Sequence, residues 1–329
     1  MKTELRYNLE KASELWQAEL FATSDLADVP NRADVKEAAA RIRPHVRMTP
    51  VLEADIGGHH VWLKLEHTQQ TGSFKVRGAL NAVLSMKPRP SAVVAASGGN
   101  HGLGVCLAAQ RVGAQAHIFV PETAPAEKRE RIVRMGGNIT VIGERYADAE
   151  QAARAFAAEK RLPWIHPFAQ KEIIAGQGTL ALEIMEQTQG KCDAVVCAVG
   201  GGGLLSGVGV ALAGTGMRVV GVEPEGIPTL HRALALGSPV DVDIHSMTAS
   251  ALGASRTEAL NLAIVERLTE GVVLVSDAAI ADARHALWES CRLLVEPAAA
   301  APLAALLSGA VVAQSPCIVL CGGNGPVSL

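Results

Sequence analysis

The sequence predicts an α/β fold in which parallel sheets are covered by helices on both faces. Short runs of aliphatic and β-branched residues alternate with longer amphipathic stretches along most of the 329 residues. Hydrophobic residues make up 49% of the chain and aromatic residues only 3%. Small aliphatic side chains of this kind suit helices that pack closely on parallel strands. The length is ample for one large domain or for two domains that share an interface.

The strand candidates are short apolar runs that are bounded by turn-forming residues. In chain order they are 61–65, 92–96, 116–120, 139–142, 194–199, 219–222, 272–275 and 317–321. Pro121 follows the third run and cannot extend it, because proline has no N–H group for a ladder.

Helix candidates separate these runs and carry apolar residues at a helical spacing. They are 74–86, 101–111, 127–135, 147–160, 176–188, 204–213, 278–292 and 297–307. Gly113 and Gly136 stand just after the second and third candidates, where a C-terminal cap is expected. The stretch 297–313 is nearly all apolar but is too short to span a bilayer comfortably, so we expect a buried helix there.

Composition and charge exclude several classes of protein. The net charge of −3 does not favour a nucleic-acid or acidic-membrane partner. The first 26 residues lack the apolar core of a signal peptide, which indicates a cytoplasmic protein. We expect the first thirty or so residues to be a loosely attached extension. The six cysteines form no C-x-x-C pair and mostly lie in apolar runs, which predicts buried free thiols and no metal site.

Lys75 opens a predicted helix just after Gly72. The positive end of the helix dipole, together with a partly apolar pocket, would lower the pKa of its amine. Because a neutral amine attacks an aldehyde, Lys75 is a candidate for covalent catalysis. Taken alone, the same spacing also fits a solvated surface lysine.

Two glycine-rich turns lie where a predicted strand meets a predicted helix. The first, 97–102, reads S-G-G-N-H-G, and it fits either an ordinary helix cap or a site for a carboxylate, with Ser97 and Asn100 as extra donors. The second, 200–203, is four consecutive glycines, whose bare N–H groups can hold a phosphate at a helix N-terminus. Glu223 lies about twenty residues further on, as in a dinucleotide fingerprint, but contiguous glycines do not have that fingerprint's spacing.

Together these segments resemble the serine/threonine dehydratase family of fold type II, or tryptophan-synthase-β-like, pyridoxal-phosphate enzymes, including its hydroxyectoine-utilisation branch. The resemblance covers about residues 35–324, and its motifs follow the family's order. They are K-x-E at 64–66, T-G-S-F-K-x-R-G-A at 71–79, S-G-G-N-H-G at 97–102, A-G-Q-G-T at 175–179, G-G-G-G at 200–203, E-P at 296–297 and C-G-G-N at 321–324. The lysine segment is the most specific of them.

The resemblance implies a role for each candidate residue. Lys75 would be the catalytic residue and would bind pyridoxal 5'-phosphate covalently. Phe74 would lie against the cofactor ring, Asn100 would hydrogen-bond its phenolic oxygen, and Cys321 would lie beside its pyridine nitrogen. The phosphate would be held by the backbone of Gly200, Gly201, Gly202, Gly203 and Leu204. The substrate would be bound by Ser97, Gly98, Asn100 and His101.

The architecture implied by the resemblance has two domains of the αβα type, with the cofactor in the cleft between them. Residues 1–88 and 168–329 would form the large cofactor-binding domain, and residues 89–167 would form a small inserted domain. A homodimer is usual in the family. Relatives that bind a divalent cation have two carboxylates six residues apart, whereas here Glu223 is followed by Thr229, so no metal is expected.

The activity implied by the resemblance is the removal of water and ammonia from a small β-hydroxy amino acid, such as threonine or serine, to give a 2-keto acid. The alternatives are a larger hydroxy amino acid, for example one derived from hydroxyectoine, serine racemisation, and β-replacement. His101 favours the dehydratases over the β-replacement enzymes. Racemases of the family carry a serine where this chain has Gly98, so we expect no efficient racemisation. The sequence ends soon after Asn324, so we expect no C-terminal regulatory domain and a catabolic role.

Overall fold

The computed structural model describes residues 29–325, and the elements are numbered within that range. The strands are β1 (Val51–Ile56), β2 (His59–Lys64), β3 (Ala92–Ala96), β4 (Gln115–Val120), β5 (Gly137–Val141), β6 (Ala194–Ala198), β7 (Arg218–Pro224), β8 (Val272–Val275) and β9 (Pro316–Val319). The helices are α1 (Arg32–Ile42), α2 (Lys75–Ser85), α3 (Asn100–Val112), α4 (Ala126–Arg134), α5 (Tyr146–Lys160), α6 (Lys171–Gln187), α7 (Gly203–Leu212), α8 (Thr229–Leu236), α9 (Ala249–Leu252), α10 (Ala259–Leu268), α11 (Asp277–Cys291) and α12 (Pro297–Leu307).

The larger sheet has the strand order β1-β2-β9-β6-β7-β8. Every neighbouring pair in it is parallel except β1 and β2, which form an antiparallel hairpin. Gly57 and Gly58 make the turn of this hairpin, with φ angles of +58° and +81° that suit glycine. Strand β1 is not predicted from the sequence, because this edge strand is mostly exposed and has no apolar run.

The smaller sheet consists of β3, β4 and β5, all parallel, with the order β3-β4-β5. Trp164 adds a single parallel bridge to Val94. Helices α3, α4 and α5 connect or follow these strands, as the alternation of the sequence predicts. We call residues 92–160 the small unit. The α/β class with parallel sheets is therefore confirmed, and the one antiparallel edge strand is the exception.

The core of the larger sheet includes β6 and α12, whose side chains are almost wholly buried. Residues 298–306 of α12 are buried, so the apolar stretch is the internal helix that we expected. Within residues 29–325, no helix is both long enough and apolar enough to cross a bilayer. All six cysteines are free thiols, and all but Cys291 are buried.

Helix α1 and the helices α8 to α10 are likewise not predicted from the sequence. Helix α1 begins with a capping box, in which Asp34 N donates to Asn31 Oδ1 and Asn31 N donates to Asp34 Oδ2. It buries Val35, Ala38 and Ile42, a spacing that was overlooked because this segment is otherwise charged. The expected N-terminal extension lies mainly in residues 1–28, outside the described residues.

A buried ion network joins β2, α2 and α6. Arg77 donates from Nε to Glu66 Oε2 at 2.8 Å and from Nη1 to Glu183 Oε1 at 2.7 Å. Lys64 Nζ donates to Glu183 Oε2 at 2.5 Å. Arg77 and Glu66 are fully buried, and the Arg77 guanidinium lowers the pKa of Glu66 against the opposing effect of burial. The network anchors the first turns of α2, the helix that begins at Lys75.

Candidate active site

One cavity of 540 Å³ is lined by every residue that the sequence predicts for the site. Its walls include residues that follow β3, β4, β6 and β9, so the carboxyl ends of strands from both sheets face it. Ligands of α/β proteins commonly bind at such strand ends.

Lys75 is the first residue of α2, and its amine lies inside the cavity. Its Nζ atom donates to Pro167 O at 2.9 Å. Burial lowers the pKa of Lys75 to about 8, against the opposing effects of Cys321 and Glu296. A much larger share of the amine is therefore neutral near pH 8 than for a solvated lysine. The alternative of a surface lysine is wrong.

The backbone after β9 holds the lysine turn in place. Phe74 N donates to Cys321 O at 3.1 Å, and Gly323 N donates to Gly72 O at 2.9 Å. Gly72 has a φ angle of +72°, and a Cβ atom there would collide with Asn324 Oδ1. These contacts bring Phe74, Lys75 and Cys321 to one side of the cavity. Burial raises the pKa of the Cys321 thiol, which makes it a neutral neighbour.

The tetraglycine turn connects β6 to α7 and forms a second wall of the cavity. A Cβ atom on Gly201 would collide with the Phe168 ring, and one on Gly203 would lie 2.7 Å from Phe168 O. Asn261 Nδ2 donates to Gly201 O at 2.9 Å from behind the turn. Side chains are thus excluded, and the first N–H groups of α7 have no partner inside the helix. Leu204 completes this wall.

The turn at 97–102 forms a third wall, between β3 and α3. Gly99 N donates to Ser97 Oγ at 3.2 Å, and Gly98 presents bare backbone to the cavity. The His101 ring contacts Ile165 O at 3.0 Å, and burial lowers its pKa to about 3. His101 is consequently a neutral side chain, directed to the backbone of a neighbouring segment.

Asn100 lies at the start of α3 and is held on both sides. Its Nδ2 atom donates to Glu296 Oε1 at 2.9 Å, and its Oδ1 atom accepts from Asn324 Nδ2 at 2.7 Å. Glu296 is almost wholly buried, and burial raises its pKa. The sequence motifs contained Glu296 and Asn324, but the sequence alone gave no role to either residue.

A family model for pyridoxal-phosphate-dependent enzymes matches residues 42–322. The chain belongs to this family. The match includes all the cavity residues named above, so the resemblance seen in the sequence and the expected cofactor are confirmed.

Known members of this pyridoxal-phosphate family share most of the chain. An L-threonine ammonia-lyase from Thermotoga maritima is 35% identical over 305 residues, which cover 90% of this chain and 76% of that protein. A serine racemase from Arabidopsis thaliana is 36% identical over 305 residues, which cover 88% of this chain and 92% of that protein. The crystal structure of a threonine deaminase from T.th. superposes with a TM-score of 0.86 at 34% identity, over 91% of this chain and 100% of that one. The fold type II architecture is thereby confirmed.

The cavity of this pyridoxal-phosphate enzyme fits its cofactor. It combines an amine of lowered pKa with a wall of bare glycine backbone at a helix N-terminus, where a phosphate is favoured. The neutral Cys321 thiol and the Phe74 ring line the same cavity as the amine, and the ring centroid lies 5.3 Å from Lys75 Nζ. The individual contacts proposed for these residues remain predictions.

Further residues of the cavity were missed by the sequence analysis. Lys128 and Tyr146 line it, as does the segment 249–254. Burial lowers the pKa of Lys128, and Glu296 opposes that effect. Pro121 marks the end of a strand in the sequence. Because ligands commonly bind beyond strand ends, the residues just after Pro121 were detectable candidates for the cavity.

Glu223, at the carboxyl end of β7, caps helix α8. Its carboxylate accepts from Leu230 N at 2.8 Å and from His231 N at 3.0 Å. Thr229 donates its hydroxyl to Ala254 O at 2.7 Å. Among residues 29–325 no cluster of three or more potential metal-ligating side chains is found. The absence of a metal requirement stays a prediction.

Proposed function

We propose that this chain is a pyridoxal-phosphate-dependent ammonia-lyase that converts a small β-hydroxy amino acid, such as threonine or serine, into a 2-keto acid. The observation that carries the proposal is the position of Lys75, whose amine of lowered pKa shares one cavity with the tetraglycine turn. The similarity to a threonine ammonia-lyase and to a threonine deaminase supports the same reaction type.

Each wall of the cavity would bind a different part of the cofactor or of the substrate. The backbone of 200–204 would hold the phosphate, Phe74 would lie against the ring, and Cys321 would lie beside the pyridine nitrogen. Asn100 would donate to the phenolic oxygen. The backbone at 97–101 would bind the substrate carboxylate, since N–H groups at a helix N-terminus favour an anion.

Lys75 would act as the general base. When bound, pyridoxal phosphate supplies an aldehyde that condenses with amines and a ring that withdraws electrons from Cα. The amine of Lys75 takes the α-proton, and its pKa of about 8 places the neutral form within reach at physiological pH. The protonated Lys75 amine then returns this proton to the β-hydroxyl, which leaves as water. Hydrolysis of the released enamine gives the keto acid and ammonia, so one of each forms per amino acid.

The proposal includes the larger organisation of the molecule. The large domain would comprise residues 1–88 and 168–329, and the small domain residues 89–167. We propose a homodimer in the cytoplasm, and sedimentation of the purified holoenzyme measures the subunit number.

The test is to incubate the holoenzyme with a panel of hydroxy amino acids and to measure keto acid and ammonia together. We expect L-threonine or L-serine to give the two products in equal amounts. Loss of the general base in Lys75→Ala should lower the rate by roughly a hundredfold or more. Lys171→Ala is a matched control, because Lys171 forms an ion pair with Asp34 outside the cavity. Wild-type protein that releases no ammonia, or Lys75→Ala with full activity, would contradict the proposal.

A further inference from the structure

A chain of side-chain hydrogen bonds ends at the cavity, which two of its four members, Asn100 and Glu296, line. Arg131, on α4, donates from Nη2 to Asn324 Oδ1 at 2.5 Å. Asn324 Nδ2 donates to Asn100 Oδ1 at 2.7 Å, and Asn100 Nδ2 donates to Glu296 Oε1 at 2.9 Å. We call these four residues the relay.

Every bond of the relay joins the small unit to the rest of the molecule. Arg131 and Asn100 belong to the small unit, whereas Asn324 follows β9 and Glu296 precedes α12. The three bonds therefore alternate between the two parts of the chain. The geometry of the relay depends on how the small unit is placed against the larger sheet.

The two ends of the relay determine which way both amides face. An arginine can only donate, so Asn324 presents its oxygen to Arg131 and its nitrogen to Asn100. Asn100 then presents its oxygen to Asn324 and its nitrogen to the Glu296 carboxylate. A further bond from Asn324 Nδ2 to Thr71 O at 2.8 Å favours the same orientation.

An amide nitrogen carries two hydrogens, and the relay uses only one of those on Asn100. Asn100 itself lines the cavity. We propose that Arg131 and Asn324 are positioning residues that hold the Asn100 amide with its second N–H directed to the phenolic oxygen of the cofactor. This inference rests on the cofactor contact proposed above for Asn100.

Removal of the arginine would leave the Asn324 amide less constrained. One hydrogen bond of this kind changes an equilibrium by roughly 3- to 10-fold. We therefore expect Arg131→Met to raise the Kd of pyridoxal phosphate for the apo-protein by about 3- to 10-fold. Asn324→Ala should raise the Kd at least as much, because it also removes the bond to Asn100.

The experiment is a titration of apo-protein with pyridoxal phosphate, without substrate. If Arg131 acts through Asn324, the double variant Arg131→Met/Asn324→Ala has the same Kd as Asn324→Ala alone. Arg134→Met is the matched control, since Arg134 is exposed at the end of the same helix, and it should bind as the wild type does. Multiplying effects in the double variant, or wild-type affinity in Arg131→Met, would overturn the proposal.

Two further variants separate positioning from other effects. Arg131→Lys keeps a side chain that can only donate, so its Kd should lie within about twofold of the wild type. An Arg131→Lys protein as weak as Arg131→Met would count against the relay. The thermal midpoint of each apo-protein is measured alongside, and for the Arg131 variants it should fall by no more than about 4 °C, the loss that one hydrogen bond explains.

Asn100→Ala distinguishes failure of the relay from failure of the proposed cofactor contact. Unchanged affinity in Asn100→Ala would contradict that contact and the relay together. Weakened affinity in Asn100→Ala, combined with wild-type affinity in Arg131→Met, would overturn the relay alone. Because no substrate is present, neither result depends on the lyase reaction.

Discussion

The amine of Lys75 is subject to opposing influences that the sequence reveals only in part. The start of a helix and a glycine turn could be recognised from the residues around it. The dominant effect on its pKa is burial, and the groups that oppose it, Cys321 and Glu296, lie more than two hundred positions away in the chain. The effect of these two residues on the pKa of Lys75 could be recognised only once the fold was known.

Gly98 lines the cavity and places no acid–base group where we propose that the substrate binds. A Cβ atom there would lie 3.4 Å from Ala124 Cβ and 3.7 Å from Val120 Cγ1, both ordinary contacts. A serine therefore fits without displacing its neighbours. We expect Gly98→Ser to raise the ratio of D-serine to pyruvate formed from L-serine by about tenfold or more, because it introduces a hydroxyl that can transfer a proton.

Chiral chromatography of the products, together with a pyruvate assay, measures that ratio. Gly98→Ala is the matched control, since it adds the Cβ atom without the hydroxyl and should keep the low ratio of the wild type. The expectation fails if the serine and alanine variants give the same ratio, or if the wild type already forms D-serine as fast as pyruvate.

Among the elements, the turns that bear the site were the most predictable. Each is a local strand–turn–helix unit, so its glycines and its polar residues are adjacent in sequence. Strand β1 and helix α1 were missed because an exposed edge strand and a charged helix have weak apolar patterns. The bond from Arg131 to Asn324 could not have been predicted, since it spans 193 residues and depends on how two units pack.

The buried ion network that joins β2, α2 and α6 leads to a prediction about stability. Arg77→Met leaves the fully buried Glu66 carboxylate without its main partner. Removing one partner of a buried pair typically costs about 3–5 kcal/mol, because the remaining charge is uncompensated. We expect the free energy of unfolding in urea to fall by about that amount.

Arg218→Met is the matched control for the network. Arg218 also makes two hydrogen bonds to one carboxylate, Glu270, at 2.6 and 2.7 Å, but both side chains are more than 40% exposed. An exposed pair contributes about 1 kcal/mol or less, so this variant should lose little stability. Equal losses in the two variants would refute the argument from burial.

For the molecule as a whole, two buried histidines connect stability to pH. Burial lowers the pKa of His101 and of His166 to about 3. In the unfolded chain both rings bind a proton below about pH 6.5, whereas in the folded protein they stay neutral. The unfolded state therefore gains protons as the pH falls, and the folded state loses stability from about pH 6.5 downward. Above that pH the two rings contribute no such loss.

Urea unfolding at pH 7 and pH 5 measures this effect. Each histidine should account for about 2 kcal/mol of lost stability at pH 5. His166→Gln removes one of the two groups, so the loss on acidification should shrink by about that amount. His285→Gln, on the exposed face of α11, should retain the full loss. A wild-type protein equally stable at both pH values would show that these rings are not held neutral.

The segment His166–Pro167–Phe168 contacts both Lys75 and the tetraglycine turn. Its proline carbonyl accepts the hydrogen bond from Lys75, and its phenylalanine presses on Gly201 and Gly203. A displacement of these few residues would disturb both the amine that we propose to bind the cofactor and the turn that we propose to hold its phosphate. If both proposed contacts are right, a substitution that displaces Phe168 should release bound cofactor and not only slow turnover.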